Sequence, residues 1–305
     1  GIVVGDTGDQ VREAVGDGAR FGARVSYIEQ DAPRGIAHGI KIAREFIGGE
    51  KFVLFLGDNF IRDGIVSQVA AFHDHALNAQ IILYKMDDPS AMGVAVLDGD
   101  GRVTRLVEKP KQFVSPYAVI GIYMFDSHVF EAVDAIKPSA RGELEITDTI
   151  QYLIDHKLNV GAHRLEGWWI DTGKMQDILE ANRLVLDVLE AKNEGQVDAA
   201  SRIEGRVALQ KGAVVVNSTI RGPAIIGERT RIENAFVGPY TSIHNDCVIR
   251  NCEIEHSVVL ENSKIIDAPS RVADSLIGRN VLVGRADGHT KTLRMMVGDF
   301  SQVGL

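Results

Sequence analysis

Four short segments of the chain end apolar, strand-like runs with residues suited to phosphate and sugar chemistry. Leu56-Gly57-Asp58-Asn59 closes the run Phe52 to Leu56. An acidic residue just past the carboxyl end of a buried strand can hold Mg²⁺ against a phosphate. Taken alone, Gly-Asp-Asn is equally an ordinary turn. Upstream, Tyr27 to His38 reads as a strand, a Pro/Gly loop through Pro33 and Gly35, and the start of a helix. Gly35 would let a ligand approach the backbone at that helix N-terminus, and Gln30 offers both a donor and an acceptor to a base edge. Downstream, Val107-Glu108-Lys109-Pro110 pairs a carboxylate able to grip sugar hydroxyls with a cation able to reach a phosphate. Trp168-Trp169-Ile170-Asp171-Thr172-Gly173 supplies a second acidic residue, Asp171, at another strand end.

The elements that must position these residues alternate between strand and helix. Val25 to Ile28, Phe52 to Leu56 and Ile81 to Tyr84 read as strands, with amphipathic helices over Ile36 to Ile47 and Val66 to His75 between them. The continuously apolar run Phe52 to Leu56 is the kind buried on both faces of a parallel sheet. Such alternation predicts a doubly wound, Rossmann-like α/β domain with ligands at the carboxyl ends of its strands. A long helix from Lys174 to Lys192 follows, then the polar break Asn193-Glu194-Gly195-Gln196. The boundary is expected near residue 195, giving a first domain over 1–195 and a second over 196–305.

Beyond the break the period changes. Ile203, Leu209 and Val215 recur 17 residues on as Ile220, Ile226 and Ile232, then as Val237, Ile243 and Ile249, then as Ile254, Leu260 and Ile266. A fifth row gives Arg271, with Val272 beside it, then Ile277 and Val283. A three-sided coil of short strands explains the spacing, each aliphatic residue filling a shared interior that a single coil cannot bury alone. About five coils are expected, closed by corners such as Ile226-Gly227 and Val237-Gly238.

A formal charge of −9 argues against a general nucleic-acid binder, and no apolar run approaches the roughly 20 residues of a membrane span. Cys247 and Cys252, without a matching metal pair, read as reduced thiols of a cytoplasmic protein. His73 and His75 point apart at helical spacing, as on a solvated helix surface. His244 and His256 fall on the coil, whose role is expected to be structural or oligomer-forming, which makes a homo-oligomer the expected assembly.

Taken in order, these segments resemble the nucleoside-diphosphate-sugar pyrophosphorylases. The nearest group is the long-form glucose-1-phosphate thymidylyltransferases, which carry a C-terminal left-handed β-helix of hexapeptide repeats. The resemblance spans nearly the whole chain, and its markers are Gln30 to His38, Leu56 to Asn59, Gly93-Val94, Glu108-Lys109-Pro110, Arg141 to Asp148 and Trp169 to Gly173. It implies transfer of a thymidylyl group from dTTP to glucose-1-phosphate, with release of pyrophosphate and Mg²⁺ as cofactor. It further implies that Gln30, Pro33 and Gly35 bind the nucleotide and that Asp58 and Asp171 share the metal. Gly93, Glu108 and Val119 would line the glucose, and Lys109 would bind its phosphate. The Glu143-Leu144-Glu145 segment is a marker whose role, structural or catalytic, the sequence leaves open.

One departure matters. Family members open with a strand and a G-x-G-T-R-L-x-P loop, about 50 residues of chain ahead of Gly1, whose backbone N–H groups wrap the triphosphate. Nothing in this sequence matches that loop, and the chain opens at Gly1 in a strand-like run without an initiator methionine. The expectation is an N-terminally incomplete chain that is poorly active or inactive, with neighbouring strand edges unpaired. Two other functions fit the same residues: a uridylyltransferase for glucose-1-phosphate or N-acetylglucosamine-1-phosphate, and a non-catalytic regulatory subunit that binds sugar nucleotide.

Overall fold

A computed structural model describes residues 1–284; the last part of the expected second domain, 285–305, lies outside them. The chain divides into two compact units, the first Gly1–Ile170 and the second opening at Asp171. Among the described residues no helix is long and apolar enough to cross a membrane.

In the first unit, strands β1 (Ile2–Val4), β2 (Tyr27–Glu29), β3 (Phe52–Phe55), β4 (Asn59–Ile61), β5 (Ala79–Lys85), β6 (Gly93–Leu97), β7 (Val103–Glu108), β8 (Tyr117–Phe125) and β9 (Val160–Arg164) are present. They alternate with helices α1 (Gly8–Val15), α2 (Ile36–Ile42), α3 (Arg44–Ile47), α4 (Val66–Asp74), α5 (Val129–Ala135) and α6 (Ile146–Asp155). The main sheet runs β7-β6-β8-β5-β9, with β3 also paired to β8. Helices α2, α5 and α6 cover one face, burying Ile40, Val133, Ile150 and Leu153 against Ile81, Leu83 and Phe125. On the other face Ile82, Ile120 and Ile122 pack with Ile61, Ile65, Tyr84, Leu165 and Trp169. Apolar residues on both faces of β5 and β8 are what a sheet covered on two sides demands.

Two features differ from the reading of the sequence. The sheet is mixed: β8 runs antiparallel to β3, β5 and β6, and only β5 with β9 is parallel. Strand β3 is also not buried on both faces, since Val53 and Phe55 are exposed. They border a cavity of about 840 Å³ whose opposite wall is Ile2 to Gly5. Strand β1 pairs in parallel with β2 alone, as a separate two-stranded sheet.

The second unit begins with helix α7 (Met175–Asp187) and continues as a three-sided parallel β-helix, the left-handed hexapeptide architecture expected from the repeat. The division at residue 171 comes earlier than the polar break near 195, because α7 is bonded to the coil. Asn182 donates to the Tyr240 carbonyl at 2.9 Å and accepts from the Ser242 hydroxyl, and the Tyr240 hydroxyl donates to Asp187 at 3.1 Å. Strands recur in three stacks, and the interior holds Val215, Ile232, Ile249 and Ile265 on one of them.

The repeat slips twice. Val259 and Ile265 fill the fourth row, where Leu260 and Ile266 were expected, because five residues instead of six join Ile254 to its successor. Two extra residues around Ala268-Pro269-Ser270 then lengthen the next step, so Val272 stacks on Ile254 and Arg271 stays outside. At one corner Asn217, Asn234, Asn251 and Asp267 all adopt positive φ. Asn and Asp tolerate this conformation better than other residues with a side chain. Each Asn donates to the next member up the stack, at 2.8, 3.1 and 2.6 Å.

Ile232 is fully buried in the middle of this stack. Ile232→Ala should therefore cost about 2–5 kcal/mol in a denaturant titration of the coil. Loss of less than about 1 kcal/mol, the range typical of surface changes, would contradict a packed interior at that position.

Candidate active site

The site is organised by register across β7, β6 and β8. Gly93 is the direct partner of Glu108 on one side and of Val119 on the other, so three residues from distant segments form one row across the sheet. Gly93 leaves the row open. A Cβ there would meet Thr147 Cγ2 at 2.7 Å and Glu108 Oε2 at 3.4 Å. The Glu108 carboxylate accepts the Thr147 hydroxyl at 3.0 Å and an Arg141 N–H at 3.2 Å. Lys109 follows in a left-handed turn (φ 41°) whose N–H donates to the Met92 carbonyl at 3.0 Å.

Arg141 was a family marker without a role, and the structure places it in the site. Its guanidinium also pairs with Glu145 at 2.7 Å and Glu143 at 3.5 Å. Glu145 is almost wholly buried and accepts the Ser139 hydroxyl as well. The acidic segment thus holds Arg141 in front of the row. It has a second, backbone function: Leu144 N–H donates to the Arg34 carbonyl at 2.8 Å, and Ala37 N–H to the Leu144 carbonyl at 3.3 Å. These bonds seat the loop that contains Pro33 and Gly35. Gly35 has φ 95°, and a Cβ would lie 2.5 Å from the Leu144 oxygen, so no other residue fits without displacing that loop.

Gln30, Pro33 and Gly35 lie together on the cavity between β1 and β3. The Gln30 amide faces His38 Nδ1 at 2.9 Å, and its backbone N–H donates to the Val4 carbonyl. Asp58 stands exposed after β3. Its neighbour Asn59 is buried, donates to Asp58 Oδ1 at 2.9 Å, and accepts from Gly121 N–H and Trp169 Nε1. Asp171 opens the second unit, where its carboxylate accepts the Gly173 N–H at 2.9 Å.

The nucleotidyl transferase family profile matches residues 2–188. The chain belongs to the nucleotidyl transferase family. It is 47% identical over 304 residues to a glucose-1-phosphate thymidylyltransferase of Streptomyces antibioticus, covering 99% of this chain and 85% of that protein. It is 45% identical over 302 residues to the protein of that name from Streptomyces griseus, with the same coverage. A crystal structure from Bacillus anthracis, named as a candidate glucose-1-phosphate thymidylyltransferase in complex with sucrose, superposes with a TM-score of 0.57. The two are 36% identical, and the match covers 63% of this chain and 77% of that one.

In this nucleotidyl transferase, burial pushes the Glu108 carboxyl above the ordinary carboxylate range. The Thr147 hydroxyl opposes the shift, neighbouring Glu145 adds to it, and Arg141 and Lys109 oppose it. Because the folded state holds this proton more tightly than the unfolded chain, ionised Glu108 costs stability at neutral pH, and the cost fades as pH falls through the carboxylate range. Glu108→Gln should therefore be the more stable protein at neutral pH in urea titrations, with the gap to wild type closing under acid conditions. A gap independent of pH would contradict the desolvated carboxylate.

Proposed function

We propose that this nucleotidyl transferase joins dTTP and glucose-1-phosphate to give dTDP-glucose and pyrophosphate. The observation that carries the reading is the row of Glu108, Gly93 and Val119, directly paired across three strands. A carboxylate beside an open glycine suits a sugar's vicinal hydroxyls, and the shut apolar wall at Val119 suits a ring face. The names of the Streptomyces relatives support the nucleotide and sugar assigned.

In the reaction, a phosphate oxygen of glucose-1-phosphate attacks the α-phosphorus of dTTP. The bond from that phosphorus to the bridging oxygen of the β-phosphate breaks, and pyrophosphate leaves with the electron pair. No proton must be removed from an already ionised phosphate, so alignment and charge neutralisation dominate over general base catalysis. Lys109 and Arg141, which flank Glu108, are assigned to the sugar phosphate. Gln30, Pro33 and the Gly35 backbone are assigned to the base; to offer its amide to the ligand, Gln30 must exchange its present bond with His38.

Asp58 and Asp171 are assigned as metal carboxylates. Among the described residues no group of three or more His, Cys, Asp or Glu is placed to hold a metal ion. A sparse carboxylate set suits Mg²⁺, which keeps several waters and takes its remaining oxygens from substrate phosphates. Bound there, Mg²⁺ would supply positive charge to the phosphates as they react.

Pyrophosphate release should be measured with glucose-1-phosphate, Mg²⁺ and either dTTP or UTP. The 305-residue chain would be assayed beside the protein carrying whatever residues its reading frame encodes upstream of Gly1. With the upstream residues present, the expected result is turnover with dTTP that falls about 100-fold or more in Asp58→Asn. Turnover with UTP alone would replace the nucleotide assignment, and silence with both nucleotides in both forms of the chain would contradict the activity.

A further inference from the structure

We infer that Asn59 is a positioning residue that sets the orientation of the Asp58 carboxylate for its divalent cation. The inference rests on the metal reading given above for Asp58. Asn59 is only 7% exposed. Its Oδ1 accepts two hydrogen bonds, from the Gly121 backbone N–H at 3.0 Å and from Trp169 Nε1–H at 2.7 Å. Both partners can only donate, so the amide oxygen must face them. A flipped amide would set its NH₂ against two N–H donors and leave both without an acceptor in a buried site. The NH₂ is therefore forced to the other side, where it donates to Asp58 Oδ1 at 2.9 Å.

The surroundings reinforce the lock. Gly121 lies within β8, and its carbonyl accepts the Leu56 N–H at 2.8 Å while Asn59 N–H donates to the Leu56 carbonyl at 3.1 Å. One glycine thus fixes both the backbone just before Asp58 and the side chain just after it. A Cβ on Gly121 would lie 2.6 Å from Asn59 Nδ2 and 2.8 Å from Leu56, so only glycine leaves room for the clamp. Tyr84 packs beside the Trp169 ring at 5.6 Å and holds its N–H in place. The bond that Asn59 donates to Oδ1 restricts rotation of the carboxylate, which offers roughly four lone-pair sites in all. Hydrogen-bonded partners of a metal-ligating group act in this way, by fixing its direction before the ion arrives.

The test is binding of Mn²⁺ alone, followed by water-proton relaxation, to wild type, Asp58→Asn and Asn59→Ala, with melting temperatures recorded without metal. Asp58→Asn should abolish the Asp58-dependent binding, and Asn59→Ala should weaken it about 10- to 100-fold, the range found for partners of metal ligands. A purely structural role would lower the melting temperature of Asn59→Ala and leave its Mn²⁺ affinity at the wild-type value. That result, with Asp58→Asn still defective, overturns this inference alone. Equal Mn²⁺ binding by wild type and Asp58→Asn overturns the metal reading and the inference with it. Should Asn59→Ala fail to fold, the Asn59 side-chain amide resonances of the wild type decide: they should shift on addition of Mg²⁺, and resonances that stay fixed while Asp58-dependent binding persists overturn the proposal.

Discussion

Strand β8 is hydrogen-bonded to β3, β5 and β6, and the first unit is built outward from that shared register. Its length from Tyr117 to Phe125 is almost entirely buried, so a slip by one residue would turn each face of the strand toward the wrong layer. The register therefore fixes chemistry as well as packing. Val119 is set opposite Gly93, and Gly93 opposite Glu108. Two residues further along, Gly121 donates its N–H to the Asn59 amide oxygen and accepts the Leu56 N–H. The Glu108–Gly93–Val119 row and the carboxylate after β3 are thereby placed by one strand, at its neighbouring positions 119 and 121.

Charge in the site is arranged with similar economy of parts. Glu108 and Glu145 are both withdrawn from water, and Arg141 lies between them. Removing a carboxylate from solvent is unfavourable unless donors replace the lost water. Here Thr147, Ser139 and Arg141 provide those donors. The second unit solves a different problem. Its coil closes three corners per turn, and the corner residues take a conformation that most side chains disfavour. Asn217, Asn234 and Asn251 meet that demand and then bond to one another along the stack. Inside, Cys247 and Cys252 serve as small apolar residues; burial raises both thiols, Cys252 to about 11, and so disfavours their reactive thiolate forms.

Much of this was legible in the sequence, for reasons that also explain the gaps. The coil declares itself because a 17-residue spacing of aliphatic residues has no competing explanation. Its fourth row was misplaced because Val259-Leu260 and Ile265-Ile266 each offer two adjacent aliphatic residues, between which periodicity cannot choose. The α/β layering followed from strand–helix alternation, whereas the antiparallel setting of β8 did not, since a continuous apolar run carries no direction. Asp58 and Glu108 stand out as acids at strand ends. Gly93 and Val119 came only through resemblance, because their meaning depends on which strands pair. Arg141 and Thr147 stood within a family marker without a role, and the bonds of Asn59 escaped altogether. Each acts through partners 33 to 110 residues away, and no local pattern encodes such a meeting.

The central claim is that the Glu108–Gly93–Val119 row receives the sugar of a nucleotide sugar. A crystal structure of the protein with dTDP-glucose and Mg²⁺ tests it most directly. The account predicts glucose hydroxyls on the Glu108 carboxylate, the ring over Gly93 and Val119, and the base beside Gln30 and Gly35. Glucose bound away from that row, with Glu108 still held only by Thr147 and Arg141, would contradict it.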